Sequence, residues 1–138
     1  MNKPNEQYAY FTVVGDFDPF DITARVGVQP TKSWRKGDLH PQNRLERKFS
    51  RWSLHSTLEQ TRPIEEHIDD VLAQLAAHSS EFKIISSEFG GVLEIVAYFN
   101  SDYPGLFISK SQIAAMADFG LEADFDFYYI YSDRREDT

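Results

Sequence analysis

Four stretches of this chain alternate apolar and polar side chains: 8–14 (YAYFTVV), 48–56 (KFSRWSLHS), 92–99 (VLEIVAYF) and 121–131 (LEADFDFYYIY). Successive side chains of a strand point to opposite faces, so a period of two marks a sheet with one dry side. Division by parity gives an apolar set of Ala9, Phe11 and Val13; Trp52 and Leu54; Leu93, Ile95, Ala97 and Phe99; Phe125, Phe127 and Tyr129. This set is expected under helices. The opposite set is Tyr8, Tyr10 and Thr12; Arg51, Ser53 and His55; Glu94 and Tyr98; Asp124, Asp126 and Tyr128. A wet antiparallel face accounts for its polarity, but its tyrosines, with charges of both signs, exceed what solubility requires.

The segments between the strands read as helices and turns. Asp18 stands where an N-cap belongs, Pro19 at the first helical position, Asp21 in the first turn and Gly27 just past the last. A turn at 28–33 with Pro30 leads to a short strand around Trp34, and a polar, basic loop follows from Gly37 to Arg47. Pro63 opens the longest helix, with Ile64, Ile68, Val71, Leu72, Leu75 and Phe82 along one side at 3.6 residues per turn. The step Ser79-Ser80-Glu81 either bends this helix or starts a second one running through Glu88, and Gly90-Gly91 stops it. A turn at 103–105 and a helix at 110–118 capped by Ser109 precede the last strand.

This order suggests an α+β fold, close to the ferredoxin-like split βαβ pattern: a mixed or antiparallel sheet of about five strands with helices on one face. It is read as a single domain over 1–138 with flexible ends at 1–6 and 133–138. The start MNKPNEQ has no apolar signal core and no window approaches a membrane span, so a cytoplasmic location is expected. With no cysteine among 138 residues, thiol catalysis, zinc–thiolate and iron–sulfur sites are excluded.

A net charge of −8 disfavours non-specific binding to nucleic acid or anionic membranes and favours basic partners. The charge is uneven. Residues 32–51 carry seven of the 14 basic residues against Asp38 and Glu46, a net +5, leaving −13 elsewhere. With Trp34, Phe49 and Trp52 interleaved, that segment could form a stacking platform for single strands. Trp52 and Leu54 share a strand face, however, and are more simply core residues, so no nucleic-acid partner is expected.

The stretch FTVVGDFDPFDIT at 11–23 imitates the strand and D-x-D nucleophile motif of haloacid-dehalogenase-like phosphatases. Phe20 stands where that motif needs Thr or Val, and Asp18 before Pro19 is a ready helix cap. Those aspartates are therefore read as punctuation, with Asp16 left open. Among the histidines, His67 and His78 lie eleven positions apart, ~16 Å along a helix and too far to share one ion. His40 and His55 have no ligand-spaced partner. No catalytic residue, metal or cofactor is assigned, and the weak alternative is an acid cluster of Asp16, Asp124 and Asp126 binding Mg²⁺ or Ca²⁺ in a small hydrolase.

The combination of GDFDP with IT two residues on, WRKGD at 34–38, RWSLHS at 51–56 and DFDFYY at 124–129 resembles a bacterial family of small single-domain proteins classed as a domain of unknown function. The resemblance implies no activity, cofactor or site residue. Function is therefore read from the polar sheet face, where Tyr8, Tyr10, Arg51, His55, Glu94, Tyr98, Asp124, Asp126 and Tyr128 form a candidate surface for a protein partner or for self-association. Immunity proteins that neutralise basic toxins are small acidic proteins of this general class.

Overall fold

A computed structural model describes residues 4–100 and 105–130. The chain forms strand β1 (Glu6–Gly15), helix α1 (Pro19–Val26), strands β2 (Lys32–Trp34) and β3 (Ser50–His55), and helices α2 (Ile64–Ala76) and α3 (Ser79–Phe89). Strand β4 (Val92–Phe99), helix α4 (Lys110–Asp118) and strand β5 (Glu122–Tyr129) complete it. Most of the expected 103–105 turn, the last residue of the 121–131 stretch and the end at 133–138 lie outside the described residues.

The five strands make one mixed sheet in the order β2-β3-β1-β4-β5. This order does not confirm the split βαβ, ferredoxin-like expectation. β1 is antiparallel to both neighbours, β3 and β4, and the parallel pair among the described strands is β4 with β5. Parallel neighbours need a crossover, and the stretch containing α4 supplies it.

Local chemistry explains the helix ends. The Asp18 side chain accepts a hydrogen bond from the Phe20 amide at 3.0 Å, Pro19 occupies the first turn, and Gly27 closes α1 in the left-handed region at φ 74°. The opening aspartates are thus largely helix punctuation, as their spacing implied. The long helix is broken: α2 ends at Ala76 and His78, at φ −135° and ψ 49°, separates it from α3. Ser109 and Gln112 form a reciprocal capping box at the start of α4.

The helices bury the apolar side of the central strands. Phe11, Trp52 and Phe82 form an aromatic cluster with ring centroids 5.4–6.2 Å apart, and Ala9, Leu93, Ile95 and Ala97 have no exposed surface. The Trp52 indole N–H donates to Thr23 Oγ1 at 3.0 Å, so this core ring keeps a polar partner. The expectation fails at β5. Phe125 and Tyr129 lie on the helix side by parity, yet remain 48% and 53% exposed, and Phe127 is only partly buried against the core. The cause is reach: α2 and α3 lie over β1, and α4 leans on α2, where Gln112 Nε2 donates to the Asp69 carboxylate at 2.9 Å and to the Glu65 carbonyl at 3.1 Å.

Candidate functional site

Strand register settles which side chains share the face away from the helices. His55, Tyr10, Glu94 and Asp124 form one cross-strand row; Tyr8, Val96 and Asp126 form the next; Tyr98 and Tyr128 stand together in the one beyond. Arg51 lies two positions from Ser53 on β3. All nine residues of the candidate surface therefore sit on one continuous face. The register also adds two that alternation missed. Lys32 pairs with Ser53 and Trp34 with Arg51, which brings β2 into the same surface. A strand of three residues is too short to show a period, and only pairing reveals its parity.

The aromatic groups are ordered by mutual contact. Tyr10 and His55 stack with centroids 4.6 Å apart, and Tyr8 lies 5.5 Å from His55 and 6.0 Å from Tyr10, all three planes within 20° of one another. Tyr98 and Tyr128 stack at 5.1 Å. On the β2 side the Arg47 guanidinium lies 3.7 Å from the Trp34 ring centre, with Arg51 5.6 Å away, a cation–π arrangement. Thr12 and Ser53 are small and lie low between these large groups. Their hydroxyls are 3.0 Å apart, both residues are buried, and Arg51 Nη1 donates to Thr12 Oγ1 at 3.0 Å. The result is a depression of about 280 Å³ lined by Tyr8, Tyr10, Lys32, Trp34, Arg51, Ser53 and His55.

Proton affinities shift along the row. Burial, then the neighbouring Lys32 charge, lowers His55 to about 4, so its ring is neutral at physiological pH. Burial raises the Glu94 carboxyl to about 7, and a hydrogen bond with Asp124 and the Asp124 charge push the same way, against the opposing pull of Arg51. Burial raises the Tyr8 hydroxyl to about 12. The hydrogen bond that Tyr128 donates to Asp126, at 2.7 Å, does most to raise Tyr128 to about 12. Tyr8 and Tyr128 therefore act as neutral donors and contact surfaces near neutral pH.

The other candidates disperse. Asp16 follows the end of β1 and faces Lys36 Nζ at 3.4 Å, whereas Asp124 and Asp126 lie on β5 with β4 between that strand and β1. The structure does not bring these three carboxylates together, and among the described residues no group of three or more His, Asp or Glu side chains is placed to hold a metal ion. His67 has a structural role. It is wholly buried, with Nδ1 2.7 Å from Ser56 Oγ, and burial lowers its pKa. Ser56 Oγ also accepts from the Ala9 amide at 3.3 Å, so the pair ties α2 to the sheet.

Among the described residues no helix is long and apolar enough to cross a membrane. A family model described as a domain of unknown function, DUF4279, matches residues 5–130, as the motif set implied. No curated protein and no solved structure matches the chain.

Proposed function

For this chain, which belongs to the DUF4279 family, we propose the role of a non-enzymatic protein–protein interaction module that uses the open sheet face as its contact surface. The observation that carries this reading is the continuity of that face: Tyr8, Tyr10, His55, Tyr98, Tyr128 and Trp34 stand on one uncovered side of the sheet in stacked groups. Such rings give large contact area at low entropic cost, and their polar tips tolerate water when no partner is present. The carboxylates of β4 and β5 suit a basic partner, whose encounter they would accelerate. A cytoplasmic, immunity-like role against a basic toxin is the most specific form of this reading.

The test separates binding from folding. Tyr10→Ala is expected to weaken association by more than ~1 kcal/mol while the melting temperature stays near that of the parent. Tyr98→Ala and Tyr128→Ala should act in the same direction. Retention of a co-purified partner, or of a second copy, is the readout. Tyrosine variants that unfold the protein, or that bind as the parent does, would remove the open face from consideration.

A further inference from the structure

We propose that the open face is complementary to itself, and that its occupant is a second copy of this chain, packed face to face about a two-fold axis parallel to β1. The inference rests on the reading of this face as a contact surface and names its partner. Charge divides across the central strand. On one side β2 and β3 carry Lys32 and Arg51, with Arg47 stacked on Trp34; on the other, β4 and β5 carry Glu94, Glu122, Asp124 and Asp126. Among the described residues none of those three cations forms an ion pair, although acidic residues outnumber basic ones by 22 to 14. Lys32 and Arg51 line the hollow, and cations without ion pairs at such a place in an acidic protein call for an anionic occupant. A foreign basic partner would meet the carboxylates and leave all of these cations unmet, whereas a second copy can set Lys32 against a carboxylate.

Symmetry restricts how this can happen. Two like faces related by a two-fold must have the axis between the sheets. An axis across the strands sets cations over cations. An axis along β1 exchanges the two sides and keeps every residue at its own level along the strands. Lys32, Ser53, Thr12, Val92 and Glu122 occupy one level across the sheet. Lys32 and Glu122 are each two strands from β1 on opposite sides, so Lys32 of one copy comes over Glu122 of the other. By the same operation His55 comes over Glu94, and Tyr10 meets its own counterpart at the axis. The central strands then run side by side in the same direction, which is aligned sheet packing. Five strands ~4.8 Å apart and about six residues long offer on the order of 500 Å² of projected face per copy, the scale of a weak, concentration-dependent dimer.

Sedimentation velocity on the full chain, over a concentration series at low and physiological salt, is the first measurement. A dimer that loosens as salt rises is expected. Lys32→Glu and Glu122→Lys alter exposed side chains, and each alone should weaken dimerisation at least about tenfold, because two contacts per dimer turn repulsive. An equimolar mixture of the two variants should associate to within about threefold of the parent, since both contacts become attractive again. As the chain contains no cysteine, Tyr10→Cys provides an independent check: facing sheets lie about 10 Å apart, beyond disulfide reach, so a short bismaleimide should link Tyr10→Cys chains into dimers, whereas Phe20→Cys, at an exposed position of α1, should stay unlinked. A parent that stays monomeric at every concentration, single variants that associate like the parent, or a mixture that stays apart would each overturn the proposal. A monomeric parent with a foreign partner released by Tyr10→Ala sinks the two-fold and leaves the contact-surface reading standing. A monomeric parent whose tyrosine variants release nothing sinks both.

Discussion

Ile95 on β4 and Phe125 on β5 are direct neighbours across the sheet and point to the same side, yet Ile95 has no exposed surface and Phe125 keeps 48%. Their strands follow the same alternating rule and differ in what lies above them. Ile95 belongs to the core under the helices, whereas β5 is the last strand of the sheet and α4, which precedes it, leans on α2. Alternation therefore tells which side a residue faces, and the reach of the helix layer tells whether that side is dry.

The strongest way to break this contrast is to truncate the buried member. Ile95→Ala should cost ~2–5 kcal/mol through the cavity it leaves, measured by urea unfolding; a loss below ~1 kcal/mol would mean that the core relaxes around it and the contrast with β5 is superficial. The next effect concerns the common start of the two strands. A Cβ on Gly91 would collide with Ser86 Oγ and come within 2.9 Å of Ser86 Cβ and 3.0 Å of Leu121 Cδ2. Gly91→Ala is therefore expected to cost ~1–3 kcal/mol by overpacking, with Ser86→Ala in the same chain restoring part of it. No recovery in the double variant would place the strain elsewhere.

A smaller effect sharpens the comparison on the opposite face, where Glu94 and Asp124 are the neighbours. Glu94 binds its proton more tightly folded, at about 7, than in an unfolded chain, at 4.5, so its contribution to stability falls as pH rises from about 4.5 through about 7. Glu94→Gln lacks that fall. Its advantage over the parent should grow across this window to about 1 kcal/mol, discounted for partial solvent screening. His55 slopes the other way: with its folded value lowered to about 4, its contribution is present above 6.5 and is lost as pH drops toward 4. A Glu94→Gln advantage independent of pH would show that Glu94 is not raised in the folded chain. The smallest effect is Phe125→Ala, expected within about 0.5 kcal/mol of the parent; a larger loss would mean that β5 is covered in solution.

The same physics divides what could be read from the sequence from what could not. The central strands were legible because each has several residues on each side of the chain, and the start of α1 because the roles of Asp18, Pro19 and Gly27 are local. Strand order was not. It depends on which distant segments pair, and no residue near β1 announces that β3 and β4 will flank it antiparallel. The break between α2 and α3 was undecided because Ser79 and Ser80 suit both a bend and a new start. Of the candidate site, the nine residues followed from parity alone, whereas Lys32 and Trp34 required the β2–β3 register. The exposure of Phe125 and Tyr129 was invisible for a related reason: how far a helix reaches across a sheet is a tertiary property.

The position of β1 at the centre of the sheet has a further consequence, for the order in which the molecule can be made. β1 spans residues 6–15, but its partners lie at 50–55 and 92–98, so during synthesis the central strand emerges first and waits with both edges bare. Its apolar run, YAYFTVV, is the kind of segment that pairs indiscriminately when exposed, and ladders between residues this far apart close slowly. The weakness of this topology therefore belongs to the nascent chain rather than to the native state. Conditions that slow synthesis of residues 92–99, or crowd refolding chains together, should lower the yield of folded protein without changing the stability of what has folded.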